Sequence, residues 1–439
     1  MKAYTSTGTS VTEEAGTVKS PVKICMHVRG VARTDVRVMR EATVLAEAGF
    51  VVSIVDIESE SIRPVEEDIS GIQMKHMLRP DWLVSPRFKA WRLVKTVQKL
   101  IGSTFRLIRS PADIYHAHDV NALLPCYIAA QLRRKLLIFD AHEMPLHELE
   151  DTRWPWIRAL ITQLFAVIVR RCAGVITVSP PIIAEMYSRY HIAEISLIRN
   201  ILSYQVVPRS DRLRQHLGLS SNVRIVLYAG NLQPNRTLDK LVRAARFLER
   251  DMVIVLMGRS VGSTQAELEA LVAREGVADR VKIIPPVPYK ELLDWTSSAD
   301  IGATVCAPDH SINARVQFPN KLFEYLMAGL PVITSQLPAI VEIIETYDVG
   351  RVLASLEPTA IGAEINAMLA DRAGLERMKR NALEASKRDL NWEKESQLLL
   401  RFYHNILLKQ NKGPNEQKAF PLSDVVCSID GESNAHPLR

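Results

Sequence analysis

The sequence predicts an α/β protein built from two parallel sheets in series. Short apolar runs alternate with amphipathic stretches of helical period, and this alternation requires a parallel sheet with helices on both faces. The alternation pauses at a polar stretch over residues 203–212, which contains Pro208, and then starts again. The length of 439 residues also suits two domains of roughly 150–200 residues each.

The predicted strands of the first half are buried apolar runs, with helical patterns between several of them. The strands are Val22–Val28, Val51–Ile57, Ile114–His116, Leu136–Phe139, Val175–Val178 and Ile195–Ile198, and the helices are Val36–Ala48 and Ala122–Leu132. The strands of the second half are Arg224–Ala229, Val253–Met257, Val281–Ile284, Ile301–Cys306, Pro331–Thr334 and Arg351–Leu353. A helix follows the first of these, because Leu238, Leu241 and Ala245 recur at helical spacing.

Domain boundaries follow from this pattern. We expect Rossmann-like domains at 21–205 and 206–390, followed by a helix over 391–410 that opens with Asn391 and Trp392. The polar segments 1–20 and 411–439 lack sustained periodicity and are expected to be disordered. Open parallel sheets bind ligands beyond the carboxyl ends of their strands, so the site is expected there.

Composition excludes several classes of protein. Apolar residues make up 47% and charged residues 24%, which is a globular profile, and the net charge is a modest +6. The five cysteines stand singly without a CxxC pair, which argues against a disulfide framework and a structural zinc site. No secretory signal is apparent, and the longest apolar stretch, Ala159 to Val169, is far shorter than the ~20 residues that span a bilayer. We therefore expect a cytoplasmic protein that is soluble or bound to a membrane surface.

The most informative segment is FPNKLFEYLMAGLP, residues 318–331. Pro319 suits the first turn of a helix, Gly329 suits the position just after its end, and Pro331 prevents continuation. The N-terminus of this short helix, together with Lys321, offers a seat for a phosphate. Glu324, one turn further on, can accept hydrogen bonds from the two hydroxyls of a ribose. The alternative is an ordinary capped helix with a surface Lys and Glu.

A second segment points to the same kind of ligand. Gly230 follows the first strand of the second half and lets a backbone approach a ligand closely. Arg236, at the start of the next helix, can contact a diphosphate with two hydrogen bonds. Gly258 follows another strand and is expected beside the same site. The alternative for Arg236 is a solvated side chain in a loop.

The run from Tyr228 to Leu353 resembles the donor-binding domain of family-4 retaining glycosyltransferases of GT-B architecture. The matching residues are Gly230 with Arg236, Gly258, and PNKLFEYLMAGLPVITS. The resemblance implies two Rossmann-like domains that face each other across a cleft, with the C-terminal helix crossing back to the first. It also implies a UDP- or GDP-sugar as donor substrate, and no cofactor or metal ion.

Residue roles are carried over position by position from this resemblance. The acid matching Glu324 binds the donor ribose, and Arg236 matches the residues that bind the diphosphate. The remaining positions placed at the donor are Asn320, Lys321, Gly230, Asn231 and Gly258. Val316 stands where the family has a Glu, and Asn231 stands where an Arg is frequent. Asp309, His310 or Asn313 could replace the missing contact to the sugar hydroxyls.

The first half supplies the acceptor side in such enzymes. Gly30 and Arg33 follow the first strand, where Gly30 could face the diphosphate and Arg33 the sugar or acceptor. Arg37 and Arg40 lie on the first helix, with core salt-bridging as an equal alternative.

Two histidine motifs follow later strands of this half. His118 matches a residue that contacts the donor sugar region, and His142 and Glu143 are candidate sugar or acceptor contacts. A metal-binding role for the motif from His116 to Asp119 is set aside, because His116 is expected to face the sheet packing and His118 the site.

The function implied is retaining transfer of a sugar to a glycan or lipid-linked acceptor, in polysaccharide or glycoconjugate biosynthesis. The acceptor hydroxyl approaches beside the departing diphosphate, and His118, Arg236 and Lys321 are assigned to the catalytic machinery. The alternatives are a nucleotide-sugar epimerase of the same architecture and a non-catalytic nucleotide-sugar-binding protein.

Two segments suggest contact with an anionic membrane. Residues 82–112 contain seven basic and no acidic residues, with basic and apolar residues on opposite arcs of a helix. Residues 154–171 form a similar, more apolar element. The alternative is that both apolar faces pack on the first sheet. Nucleic acid is not expected as a partner, because the basic face lacks interleaved aromatic residues.

Overall fold

The computed structural model contains two sheets. It describes residues 20–58, 65–78, 89–147, 155–192, 194–234, 236–307 and 312–411. By their contacts, these residues group into two compact units, Met1–Leu137 and Ile138–Arg439. The expected disordered segments at the two ends, apart from Ser20 and Asn411, lie outside the described residues, as do Asp309 and His310.

The first sheet has eight strands in the order β3-β4-β2-β1-β5-β6-β7-β8. The strands are β1 (Lys23–His27), β2 (Val51–Glu58), β3 (Glu66–Ile69), β4 (Ile72–Leu78), β5 (Ile114–His118), β6 (Leu136–Ala141), β7 (Gly174–Thr177) and β8 (Ser196–Leu197). The helices that follow them are α1 (Val36–Glu47), α2 (Lys89–Ile108), α3 (Val120–Arg133), α4 (Pro155–Val169) and α5 (Pro180–Tyr190). All six strands predicted for this half are present, with ends that differ by a few residues.

The second sheet has six strands in the order β11-β10-β9-β12-β13-β14, and every recorded pairing in it is parallel. Its strands are β9 (Arg224–Ala229), β10 (Met252–Met257), β11 (Val281–Ile284), β12 (Ile301–Thr304), β13 (Val332–Thr334) and β14 (Gly350–Val352). Its helices are α6 (Arg212–Leu217), α7 (Leu238–Ala244), α8 (Thr264–Glu275), α9 (Leu292–Thr296), α10 (Ile312–Val316), α11 (Asn320–Met327), α12 (Pro338–Tyr347), α13 (Pro358–Ala370), α14 (Arg372–Arg388) and α15 (Trp392–Asn411). The predicted restart of the strand–helix pattern is confirmed.

Both faces of the second sheet are covered, which explains why its strands are continuous apolar runs. Along β9, Ile225 and Leu227 belong to one buried cluster, whereas Val226 and Tyr228 belong to another. Alternate residues of a strand point to opposite faces, so the two clusters are the two layers that cover the sheet.

The hairpin of β3 and β4 was not predicted. β3 has the sequence EEDI, whose three carboxylates disfavour a strand, and it pairs with β4 at the edge of the sheet. The turn uses two residues of positive φ, Ser70 (55°) and Gly71 (81°). A turn of this backbone geometry suits a hairpin, but its sequence is a weak signal.

The last helix returns to the first sheet, as expected. Asn391 caps α15 by accepting a hydrogen bond from the Lys394 amide at 3.0 Å. Phe402 and Ile406 lie directly over Gly174 of β7, where an added Cβ would be 2.5 Å from the Phe402 ring. The buried Glu395 carboxylate accepts hydrogen bonds from the backbone amide and the side chain of Arg199, at 2.7 and 2.8 Å.

Within the described ranges, no helix is both long and apolar enough to span a bilayer.

Candidate functional site

Two glycine loops touch at the carboxyl ends of β9 and β10. Gly230 has φ +145°, a conformation that side chains disfavour, and its amide donates to the Met257 carbonyl at 2.9 Å. A Cβ on Gly258 would lie 1.8 Å from the carbonyl oxygen of Gly230. Glycine at position 258 is therefore required for the two loops to meet, and the structure brings together the two glycines that the sequence analysis assigned to the donor site.

Helix α11 is anchored against these loops by Tyr325. The buried Tyr325 hydroxyl accepts a hydrogen bond from the Ala229 amide at 2.8 Å and donates to the Ala303 carbonyl at 3.3 Å. Its ring fills the space over Gly302, where a Cβ would lie 2.4 Å from a ring carbon. Gly329 ends the helix with φ +70°, as predicted, whereas Pro319 precedes the first turn rather than occupying it. The half-buried Lys321 and Glu324 lie one turn apart on this anchored helix.

Lys321 lies over the face of Tyr228. Its Nζ is 3.4 Å from the ring centre, and 3.7 Å from the point where a Cβ on Gly230 would be. Burial of the ammonium, with the charge of Arg236 as a second cause, lowers the pKa of Lys321 to about 7, although Cys306 and Glu324 act in the opposite direction. Arg236 and Glu324 thus lie close enough to Lys321 for their charges to act on its ammonium.

Tyr228 was not singled out as a site residue. Burial raises the pKa of its hydroxyl to about 12, and this hydroxyl donates to the Asn231 carbonyl at 3.1 Å. Its neutral ring therefore holds the Gly230–Asn231 turn and supports the Lys321 ammonium through a cation–π contact. In the sequence it looks like any aromatic residue at the end of a buried strand, so no local signal distinguishes it.

Asn313 and Gln317, at the beginning of α10 and just after its end, contact the loop that follows β6. The Asn313 amide donates to the Glu143 carboxylate at 2.8 Å, and its carbonyl oxygen accepts from the Met144 amide at 3.1 Å. Gln317 donates to the His142 carbonyl at 3.1 Å. The structure therefore brings Asn313, His142 and Glu143 together. The Asn313 side chain forms its hydrogen bonds with other groups of the protein.

Val316 has a structural position in this arrangement. Its side chain is buried, and its carbonyl accepts a hydrogen bond from the Ser179 hydroxyl at the start of α5. His142 Nε2 lies 3.0 Å from the buried Asp140 carboxylate, which orients the imidazole. The backbone carbonyl of Val316 and the ring of His142 are thus both fixed by side chains of the segment from β6 to α5.

In the first unit, the expectation for His116 and His118 was wrong. The two residues are two positions apart on β5, so their side chains lie on the same face, and their rings stack with centres 4.3 Å apart. Both are buried. Candidate ligand atoms of Glu41, His116 and His118 lie within 4.8 Å of one another, and Glu41 also pairs with the buried Arg37 at 3.1 Å. For Arg37, core salt-bridging is therefore the observed arrangement.

Arg33 and Gly30 have different surroundings. Arg33 forms an ion pair with Glu67 on β3, and Glu67 contacts His76 at 2.9 Å. His76 in turn lies 2.7 Å from the Asp56 carboxylate. The same carboxylate accepts a hydrogen bond from the Ala32 amide at 3.0 Å. Arg33 is thus tied into a hairpin that the sequence did not predict. Apart from its two chain neighbours, no described residue has an atom within 4 Å of a Cβ built on Gly30.

Comparison with known families identifies the chain. The family model described as Glycosyl transferases group 1 matches residues 209–385, and the model described as Glycosyltransferase Family 4 matches residues 34–203. A D-inositol 3-phosphate glycosyltransferase of Thermomonospora curvata is 24% identical over 84% of this chain and 89% of that protein. The protein of the same name from Xylanimonas cellulosilytica is 31% identical, over 44% of each chain.

Solved structures agree on the fold. Sucrose-phosphate synthase from Thermosynechococcus elongatus superposes with a TM-score of 0.71 at 18% identity, covering 88% of this chain and 100% of that one. HepE of Anabaena, solved in complex with UDP and glucose, gives 0.65 at 16% identity, covering 88% and 100%. The chain belongs to the glycosyltransferases of GT-B architecture, with a family-4 match in its first half and a group 1 match in its second.

Proposed function

We propose that this protein is a retaining, metal-independent glycosyltransferase that moves a sugar from a UDP- or GDP-sugar to a glycan or lipid-linked acceptor. The reaction would serve polysaccharide or glycoconjugate biosynthesis on the cytoplasmic side of the cell membrane. The structure of Anabaena HepE in complex with UDP and glucose supports a nucleotide-sugar donor. The observation that carries the proposal is the grouping of Lys321, Arg236 and Glu324 at the contact of the two glycine loops.

The three charged residues are proposed to bind different parts of the donor. The diphosphate carries the negative charge that grows as the sugar leaves, and Arg236, Lys321 and the N-terminus of α11 supply positive charge to stabilise it. Glu324 accepts hydrogen bonds from the ribose hydroxyls. Gly230 and Gly258 allow the nucleotide to approach the backbone. Asn231 and Asn320, which are both exposed, complete the donor side.

Transfer proceeds on one face of the sugar. The acceptor oxygen forms the new bond to the anomeric carbon as the bond from that carbon to the phosphate oxygen breaks, and the leaving phosphate oxygen takes the acceptor proton. No protein nucleophile is needed. His118 is proposed to contact the donor sugar, with His142, Glu143 and Asn313 as contacts to the sugar or the acceptor.

Nucleotide binding provides the first test. Isothermal titration with UDP, GDP and ADP should identify one tight nucleotide. Glu324→Ala and Arg236→Ala should each weaken its binding by about tenfold or more, since each removes a hydrogen bond to a charged group. Glu345→Ala and Arg250→Ala, at exposed positions, are the matched controls. Failure of all three nucleotides to bind, or equal binding by the site variants, would contradict the proposal.

Activity provides the second test. Incubation with the matching nucleotide-sugars and candidate acceptors should release free nucleotide in proportion to the glycoside formed. Proton NMR of the product should show the anomeric configuration of the donor. Inverted product would contradict retention, and binding without turnover on any acceptor would favour a non-catalytic binding protein.

A further inference from the structure

Helix α4 carries an apolar stripe that faces away from its own packing partners. Trp156, Leu160, Leu164 and Val167 follow one another at helical spacing and are 62, 60, 48 and 39% exposed. The opposite side of the helix is buried through Phe165, whose ring meets Phe139 and Tyr190 edge-on at 5.6 and 4.8 Å. The buried side therefore packs the helix against its own unit, and the exposed stripe does not take part in that packing.

The charged residues of α4 and of the two positions that follow it all have one sign. Residues 155–171 contain no Asp or Glu, and Arg158, Arg170 and Arg171 are exposed. Arg170 and Arg171 flank the apolar stripe at its C-terminal end, and Trp156 begins it. A tryptophan at the edge of an apolar stripe with arginines beside it suits the boundary between lipid headgroups and acyl chains.

Helix α2, in the other unit, repeats the pattern. Val97, Ile101 and Phe105 are 44, 63 and 53% exposed, whereas Ser103 and Leu107 are buried on the other side. Packing of this apolar face on the sheet, the alternative drawn from sequence, is therefore not observed for these three residues. The guanidinium of Arg109 lies 4.0 Å from the centre of the Phe105 ring, while Arg106 is ion-paired with Glu66 at 2.8 Å.

We propose that α4 binds an anionic lipid bilayer by inserting the stripe Trp156–Leu160–Leu164–Val167 at the headgroup level, with α2 as a second lipid-binding helix. The positive charge beside each stripe complements the negative charge of anionic headgroups. A protein partner would have to supply the same negative charge as carboxylates. Lipid binding does not depend on the donor site, so its failure and the failure of the proposed function are separate results.

Vesicle flotation tests the proposal with the full chain. Wild-type protein should float with vesicles of phosphatidylcholine and phosphatidylglycerol, bind poorly to phosphatidylcholine alone, and release as salt is raised. The double variant Leu160→Ser/Leu164→Ser should bind about tenfold or more weakly, because it removes two inserted side chains. Arg170→Gln/Arg171→Gln should weaken binding only to the anionic vesicles.

Controls separate lipid binding from misfolding and from self-association. Val206→Ser, at a position 80% exposed on a loop, should float like the wild type. Each variant should keep the melting temperature and the nucleotide-induced thermal shift of the wild type. Absence of wild-type flotation, equal flotation of the Leu160/Leu164 variant, or a wild-type dimer in sedimentation that this variant dissociates would overturn the proposal, the last by showing that the stripe joins two copies.

Discussion

The ammonium of Lys321 lies 3.4 Å from the centre of the Tyr228 ring. The Lys321 ammonium therefore packs on the face of the Tyr228 ring. Burial together with the charge of Arg236 lowers the pKa of Lys321 to about 7. The residue is thus close to half-protonated at neutral pH. A diphosphate beside it would favour the charged form.

Nucleotide binding should therefore depend on pH. Below pH 7 Lys321 is already protonated, whereas above pH 7 binding of the nucleotide must be accompanied by proton uptake. The affinity for UDP or GDP should fall as pH rises from 7 to 9, approaching a factor of ten per pH unit for one linked proton. Titration calorimetry in buffers of different ionisation enthalpy should detect the proton.

The conservative variant distinguishes this effect from ionisation of the nucleotide. Arginine stays charged over this range, so Lys321→Arg should bind with little pH dependence between 7 and 9. A wild-type affinity that is flat over this range, or a slope that persists unchanged in Lys321→Arg, would show that Lys321 does not titrate on binding.

Tyr228 should act through its ring rather than its hydroxyl. Tyr228→Phe keeps the face under Lys321 and loses only the hydrogen bond to the Asn231 carbonyl, at a cost of about 1 kcal/mol in the free energy of unfolding. Tyr228→Leu also removes the cation–π contact and should weaken nucleotide binding several-fold more than Tyr228→Phe does. Nucleotide titration and urea unfolding of both variants check this; equal binding by the two would refute a role for the ring.

Gly258→Ala should separate the two glycine loops. The added Cβ would stand 1.8 Å from the Gly230 carbonyl oxygen, so the backbone must move. We expect a loss of about 2 kcal/mol or more in the free energy of unfolding and a clear loss of nucleotide affinity. Gly276→Asn is a control, because Gly276 ends α8 with φ +66° in open space and Asn tolerates that conformation. A Gly258→Ala variant that binds nucleotide normally would argue against the loop contact as part of the site.

Glu395 should be the main anchor of α15. Its buried carboxylate pairs with Arg199, and breaking a buried pair by removing one partner typically costs about 3–5 kcal/mol. Glu395→Ala should therefore lower the free energy of unfolding by that order, whereas Glu384→Ala, at an exposed position of α14, should change it little. Urea denaturation compares the two, and similar midpoints for both variants would contradict the anchoring role.

Metal independence can be tested at the cluster of Glu41, His116 and His118. Histidine and carboxylate side chains at this spacing are typical metal ligands, although the ion pair of Glu41 with Arg37 offers a structural reason for the same residues. We expect protein purified without added metal to contain well below one equivalent by mass spectrometry of the elements, and chelator treatment to leave transfer unchanged. A stoichiometric metal that His116→Ala removes together with activity would overturn this expectation.

Local patterns in the sequence were sufficient to predict the architecture and to propose candidate residues for the donor site. The period of the apolar residues predicted the strands, and the Pro319, Gly329 and Pro331 spacing predicted α11, because both depend on neighbours along the chain. Lys321, Glu324, Arg236 and the two glycines could be proposed as site residues because each belongs to a short motif, either at the start of a helix or in the loop after a strand.

Contacts between distant segments were decided only by the tertiary structure. The hairpin that carries Glu67 and engages Arg33, the stacking of Lys321 on Tyr228, and the bonding of Asn313 to Glu143 all join residues far apart in sequence. Exposure of the apolar stripe on α4 belongs to the same class. Periodicity shows that a helix has two faces, but which face is buried depends on the free energy of packing against elements that the local sequence does not specify.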